Sequence, residues 1–346
     1  MAKTKRKKKR KSDKRQWILP TCSWIVLAVV IGLWVLQDGL GERHWLSTFL
    51  AYVPQLPFLI LPVAILLISL LKLRFLAVIP AAMACLIVVF LNMRYQLRLA
   101  PAEARSPNSL TVLTWNIKGG EGGLDALVAL IERTGADVVC LQEYTGNFGG
   151  KPAEQEWRAS LPDEYEFIRQ DELVTLVRST PLRARSVNLR DTASGGYRRN
   201  ALEVSVNHQG RRVSILNVHL TTSITGESIL KRMDSVPAYL EQATKVRSEQ
   251  FSNIIQWQKL ADGLTIVAGD FNTPPRGRLY RRMTTHSRDS FAAAGRGFGY
   301  TYRADIPVLR IDYVFAGGGL EVESCQVIKT RASDHLPVLS VLRASR

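Results

Sequence analysis

Five short segments carry side chains suited to metal-assisted phosphoester chemistry: Thr114-Trp115-Asn116, Leu141-Gln142-Glu143, Asn217-Val218-His219-Leu220, Gly269-Asp270-Phe271-Asn272 and Ser333-Asp334-His335. Asp312, within Arg310-Ile311-Asp312-Tyr313, adds a further carboxylate. Such chemistry needs oxygen donors for a cation, a base for water, and donors or a charged imidazole for the phosphate. Asn116, Glu143, His219, Asp270, Asn272, Asp312, Asp334 and His335 supply each type, and it is the ordered set that carries the signal. Asp270 and Asn272 alone could simply cap a turn. Glu143 ends an apolar strand, where a buried carboxylate is costly unless it meets positive charge, either an arginine or a cation.

These residues must be carried to one place by strands and helices. Apolar alternation predicts strands at Leu110 to Trp115, Asp137 to Glu143, Tyr165 to Arg169, Glu172 to Arg178, Leu182 to Leu189, Ala201 to Val206 and Arg211 to His219. More follow at Leu264 to Gly269, Ile311 to Phe315, Leu320 to Ile328 and Pro337 to Leu342. Helices are predicted at Leu124 to Thr134, Pro237 to Leu260 and Arg278 to Met283. Strands in two similar halves, with helices interspersed, predict two packed sheets flanked by helices rather than one parallel sheet. Gly119-Gly120 and Gly122-Gly123 lack the Lys-Ser/Thr pair of a nucleotide-binding P-loop and read as a turn.

Between residues 110 and 343 the ordered motifs resemble the endonuclease/exonuclease/phosphatase superfamily, which includes deoxyribonuclease I, exonuclease III, sphingomyelinases and inositol polyphosphate 5-phosphatases. The resemblance implies a four-layer α/β sandwich, deoxyribonuclease I-like, with the motifs meeting at one edge of the paired sheets. It implies Glu143 as the principal ligand of Mg²⁺ or Mn²⁺, completed or supported by Asn116 and Asp334. It further implies that Asp270 orients or deprotonates water, that Asn272 donates to the phosphate, and that His335, fixed by Asp312, contacts it. His219 distinguishes the chain from exonuclease III-like members, which generally lack it; it would protonate the leaving oxygen or hold the phosphate. Arg198, Arg199 and Arg310 are candidate substrate contacts. His44, His208 and His286 match no motif.

The amino-terminal third is of another kind. Ten Lys or Arg against Asp13 in the first 15 residues account for +9 of the net +16, whereas residues 101–346, with 31 basic and 27 acidic side chains, carry only +4. Uncharged runs at Trp17 to Leu36, Leu46 to Leu71 and Phe75 to Asn92 predict three transmembrane helices. The expected domains are a basic cytoplasmic tail (1–16), a three-helix membrane domain (17–92), a linker (93–109) and the catalytic domain (110–346). Basic residues gather on the cytoplasmic side. The tail, Lys72 and Arg74 therefore predict an integral membrane protein whose catalytic domain is extracytoplasmic; a re-entrant third run would reverse this, and Arg94, Arg98 and Arg105 speak for that alternative.

Four cysteines are too few for a disulfide framework, and whether Cys140 and Cys325 pair is open. The segment Thr222 to Val236, with Ile224, Ile229, Leu230 and Met233, reads as a lid or membrane-contacting loop, or as apolar residues folded under the following helix. The arrangement is similar to bacterial membrane members of the superfamily associated with glycopeptide resistance. The leading expectation is a membrane-anchored metal-dependent phosphoesterase acting on a lipid-linked phosphate ester or diphosphate. A membrane-bound nuclease acting on nucleic acid, and a non-catalytic binding protein of the same fold, are the alternatives; no obligate protein partner is implied.

Overall fold

The computed structural model describes residues 2–98, 106–145, 154–189, 200–222 and 235–345, with side chains from residue 16 onward. Four helices come first: α1 (Ala2–Trp34), α2 (Trp45–Tyr52), α3 (Pro57–Leu71) and α4 (Phe75–Leu86). Two sheets and their helices follow. The first sheet contains β1 (Leu110–Asn116), β2 (Val138–Gln142), β3 (Glu166–Gln170) and β4 (Leu173–Val177), with α5 (Leu124–Thr134) and α6 (Glu154–Ser160) interspersed. The second takes β5 (Arg183–Asn188), β6 (Asn200–His208), β7 (Arg211–His219), α7 (Val236–Leu260), β8 (Leu264–Asp270), α8 (Gly277–Thr284), β9 (Arg288–Asp289), α9 (Ser290–Ala294) and β10 (Asp312–Ala316) in chain order. The chain then returns to the first sheet with β11 (Leu320–Val327) and β12 (Val338–Ala344), giving strand orders β11-β12-β1-β2-β4-β3 and β5-β6-β7-β8-β10-β9.

Period-two alternation explains the layering, because successive side chains leave opposite faces of a strand. Val112 on β1, Val213 and Ile215 on β7, Ile266 and Ala268 on β8, and Val314 on β10 form the core between the sheets. Their neighbours face outward. Leu113 and Trp115 pack with Leu127, Ile131 and Trp157 of α5 and α6, while Leu216, Val218, Val267 and Phe315 pack with Phe251, Ile254 and Leu279 of α7 and α8. The result is helix, sheet, sheet, helix, as expected. Continuing the inner-face alternation to the strand ends reaches Asn116, His219, Asp270 and Asp312. The sandwich core thus gives way to polar side chains at one edge.

Helices α6 and α9 and the short β9 were not anticipated; each is too short for its period to stand out. Cys140 and Cys325 are both free and buried.

Among the described residues, two helical stretches are long and apolar enough to cross a membrane, Gln16–Arg43 and Phe75–Asn92. The second apolar run differs from its expectation of one straight span. It is two helices, α2 and α3, bent by 72°, with Pro54 at the break and Pro57 opening α3. Proline lacks the N–H that would carry a helix through such a point. At 15 residues α3 is about 22 Å long, short of a bilayer's hydrocarbon core.

The helices have two distinct ends. Gln16 and Trp17 gather with Arg74 and Phe75 around one cavity, so the α3–α4 turn lies at the tail end of α1. At the other end the two-sheet domain docks. Arg94 pairs with Asp38 at 2.6 Å, Arg276 donates to Gln37 at 3.2 Å, and Gln96 exchanges backbone hydrogen bonds of 2.8 and 3.0 Å with Gly297. Phe298 and Tyr300 cap the apolar helix core of Leu27, Val30 and Val88.

Candidate functional site

Strand register assembles half of the site. In the parallel β7–β8 pair His219 lies opposite Asp270, and in the antiparallel β8–β10 pair Asp270 lies opposite Asp312. Three residues far apart in sequence therefore stand side by side. Gly269 permits the close pairing: its φ is +150°, and a Cβ there would collide with the Val218 carbonyl. Beyond β8 the chain turns through Asn272 at φ 46°. The Asn272 N–H donates to Asp270 Oδ1 at 2.8 Å, and its Nδ2 donates to the Leu220 carbonyl at 3.0 Å. That amide carries a second hydrogen beyond the one given to Leu220.

Two histidines flank Asp270 in similar ways. His335 Nδ1 lies 2.9 Å from Asp312 Oδ2, and His219 Nδ1 lies 3.2 Å from Glu172 Oε1. An ionised carboxylate only accepts, so each pairing puts a hydrogen on Nδ1 and turns Nε2 inward. The Nε2 atoms of His219 and His335 stand 3.8 and 3.9 Å from Asp270 Oδ2. Tyr302 packs on the His335 ring with centroids 4.8 Å apart.

Electrostatics separates these groups. Burial, then the nearby Asp312 charge, raises the Asp270 carboxyl to about 6. Burial alone would lower the His335 imidazolium, but Asp312 and Asp270 outweigh it and raise its pKa to about 10. Near neutrality Asp270 is therefore an ionised base of unusually high proton affinity, beside a cationic imidazolium.

The other half comes from β1, β2 and the segment before β12. Asn116 Nδ2 donates to Glu143 Oε1 at 2.8 Å and to Asp270 Oδ2 at 3.2 Å, while its Oδ1 accepts from the Lys118 N–H at 3.1 Å. Glu143 follows β2 at φ 58°, a left-handed conformation that turns it off the strand. Ser333 donates to the Asn116 carbonyl at 2.7 Å, bringing Asp334 alongside, where Lys118 Nζ is 3.7 Å from Asp334 Oδ2. The side chains of Glu143 and Asp334 remain 37% and 34% exposed. Carboxylate oxygens that stay open to water suit a hard divalent cation that retains part of its hydration. Asp270, Asp312 and His335 also offer ligand atoms within 4.8 Å of one another. That buried trio suits a cation less well, because Asp312 is already engaged by the His335 ring and all three groups are shut off from solvent.

Beneath the site Gln142 and Asn217 tie the sheets together. Gln142 Nε2 donates to Asn217 Oδ1 at 2.8 Å, and Asn217 Nδ2 donates to the Val174 carbonyl at 2.9 Å. Both belong to the motifs, but only the three-dimensional arrangement reveals their bridging part. Glu172 was not singled out; its position at the end of a predicted strand was the available signal.

Arg310 departs from its expectation as a substrate contact. It is 2% exposed, and its Nη1 donates to both carboxylate oxygens of Asp289 at 3.0 and 2.7 Å, over the Tyr313 ring at 4.9 Å. Asp289 on β9 captures it because β9 pairs with β10. Arg198, Arg199 and most of the lid-like segment lie outside the described residues. His44 accepts from the Leu46 N–H at the start of α2, and His208 contacts the Asn108 carbonyl, so neither joins the site. A cavity of about 1060 Å³ adjoins Asp334 and is lined by Lys118, Tyr302, Arg303, Lys329 and Arg331 among others.

The Endonuclease/Exonuclease/phosphatase family model matches residues 113–335. No curated protein sequence matches the chain. Similar solved structures include an endonuclease/exonuclease/phosphatase from Bacteroides vulgatus, 21% identical with a TM-score of 0.55, covering 68% of this chain and 99% of that one. A mannosyl-6-phosphatase from Bacteroides thetaiotaomicron is 15% identical with a TM-score of 0.53, covering 67% and 99%. D. rerio TDP2 complexed with a single-strand DNA product is 18% identical with a TM-score of 0.52, covering 68% and 99%. These likenesses establish the deoxyribonuclease I-like fold.

Proposed function

The chain belongs to the endonuclease/exonuclease/phosphatase family of phosphate-ester hydrolases, and from that premise we propose a membrane-anchored phosphoesterase, dependent on Mg²⁺ or Mn²⁺, that hydrolyses a lipid-linked phosphate ester or diphosphate at the outer face of the membrane. The observation that carries the reaction class is the row His219, Asp270, Asp312 in strand register, closed by His335. Asp270 takes the proton of the attacking water, favoured by its raised proton affinity. Asn272 donates its second amide hydrogen to a phosphoryl oxygen. The His335 imidazolium binds the same group, held by Asp312. His219, oriented by Glu172, protonates the leaving oxygen. Glu143, Asp334 and Asn116 hold the cation, which when bound polarises the phosphoryl group and offsets its developing charge.

The lipid-linked part of the reading is supported by where the helices meet the catalytic domain. The docking end of the Gln16–Arg43 stretch, at Gln37 and Asp38, is opposite the end where Gln16 meets Arg74. Basic residues at the far end favour a cytoplasmic tail and an outward catalytic domain. Membrane attachment also raises the effective concentration of a bilayer substrate.

The basic residues of the cavity beside Asp334 favour a nuclease as the second reading. Detergent-purified protein should release phosphate from a polyprenyl diphosphate with Mg²⁺ and not with EDTA, while an Asp270→Ala variant stays silent. Cleavage of single- or double-stranded DNA without phosphate release would overturn the lipid assignment.

A further inference from the structure

The helical amino-terminal module reaches the catalytic turn itself. On α2 the Tyr52 hydroxyl donates to the Asn272 carbonyl at 2.6 Å. Arg247 of α7 donates to that hydroxyl, to the same Asn272 carbonyl at 3.2 Å and to Thr273 Oγ1 at 3.2 Å. Its guanidinium carbon lies 5.4 Å from the Tyr52 ring centroid. Arg247 is fully buried. A buried cation is tolerated only with partners, and besides the Ala243 carbonyl of its own helix those of Arg247 are the phenol of one module and the turn of the other.

Asn272 has a conformation that needs holding. Its φ of 46° is uncommon for a residue with a side chain, and it persists where surrounding contacts over-determine it. Asp270 holds its N–H, Leu220 holds its side chain, and Tyr52 and Arg247 hold its carbonyl. The following residues are secured by the same module. Gly277 N–H donates to Asp38 Oδ1 at 3.2 Å, and the Arg278 and Leu279 N–H groups donate to Glu42 Oε2 at 2.6 and 3.3 Å. These contacts satisfy the otherwise unpaired amides at the start of α8 with negative charge. The Asn272 carbonyl, Arg276 and the first amides of α8 are thus braced from the helices.

We infer that Tyr52 is a positioning residue for the catalytic centre, and that the helical module holds the Asp270–Asn272 turn in its productive geometry as well as anchoring the chain. This rests on the phosphoesterase reading above for its consequence in catalysis, but the clamp itself can be read without turnover.

The experiment compares full-length wild type with Tyr52→Phe in detergent, with Ser69→Ala in α3 as a control for general loosening of the module. Amide hydrogen exchange is followed across residues 271–279, and turnover is measured with p-nitrophenyl phosphate, bis(p-nitrophenyl) phosphate and a polyprenyl diphosphate, with Mn²⁺. Phenylalanine keeps the ring and removes only the hydroxyl. The expected result is exchange about tenfold faster in that segment, and kcat lower by about fivefold to tenfold with KM unchanged, the scale of one lost hydrogen bond. Ser69→Ala should change neither. Unchanged exchange, or faster exchange with kcat intact, overturns the positioning role; so does a matching response in Ser69→Ala. Wild type without turnover would instead sink the phosphoesterase reading, while exchange alone still decides whether the clamp exists.

Discussion

The two rims of the site are built differently. On one rim His219, Asp270 and Asp312 of the second sheet, joined by His335 from the segment before β12, are each 6% exposed or less, and every one is engaged by a neighbour in strand register or by a carboxylate partner. Beside the first sheet Glu143 and Asp334 are about a third exposed, with Asn116 donating to one and Lys118 near the other. The contrast has a physical sense. Groups that move protons gain from being locked and desolvated before substrate arrives, since their alignment and proton affinity are then set in advance. Groups that exchange a hydrated cation with solvent must stay open and negatively charged.

Substitutions can break that contrast. Replacing Asp270 with Ala should have the largest effect, about a 10³-fold loss of kcat, within the range for a lost general base. Added Mn²⁺ should not restore it; measurable rescue by the cation would move Asp270 to the metal-holding rim. Arg310→Met tests the buried rim's support. Removing the ion-pair partner of buried Asp289, which keeps its bonds from Tyr280 and the start of α9, should destabilise the fold by up to about 3–5 kcal/mol, seen as a lower denaturation midpoint, with KM of the remaining folded enzyme unchanged. A rise in KM at constant stability would return Arg310 to substrate binding. Glu143→Gln should raise the Mg²⁺ concentration for half-maximal activity by about 100-fold, the upper end of what an outer-shell change alone produces, and excess cation should restore much of kcat. Failure of excess Mg²⁺ or Mn²⁺ to do so would place Glu143 among the proton-moving groups.

The smallest expected effect is on pH. As the proposed base Asp270 must be ionised, and its pKa is raised to about 6, so at sub-saturating metal kcat/KM should rise with pH through about 6. A saturating cation favours the carboxylate and moves that limb to lower pH. Asp312→Asn removes a like charge from Asp270 and the main stabilising charge from His335. The acid limb should then shift down by about one unit, and activity should fall away at a pH below 10 as His335 loses its proton more readily. A pH–rate profile of the variant that overlays wild type would remove the electrostatic coupling from the account.

Much of the fold was legible because buried strands repeat every two residues and polar side chains interrupt that repeat only at strand ends. Val112, Thr114 and Asn116 follow one alternation, and Ile266, Ala268 and Asp270 another, so the apolar core and the site residues are successive terms of one pattern. The proline break between α2 and α3 was also written in Pro54 and Pro57, although the long apolar run concealed it. Helix α6 and the Arg310–Asp289 pair were not legible, because one is too short to carry a period and the other joins residues whose meeting depends on β9 pairing with β10.

The chain's own residue order determined the reaction class, the alternation that layers the domain, and the apolar helices ahead of it, since each is a local consequence of side-chain type and spacing. Only the tertiary structure decided that His219, Asp270 and Asp312 share one register, that Glu172 orients His219, and that Tyr52 reaches the Asn272 carbonyl. Those are distances between segments far apart in sequence, and they exist only once the sheets have packed and the helices have docked.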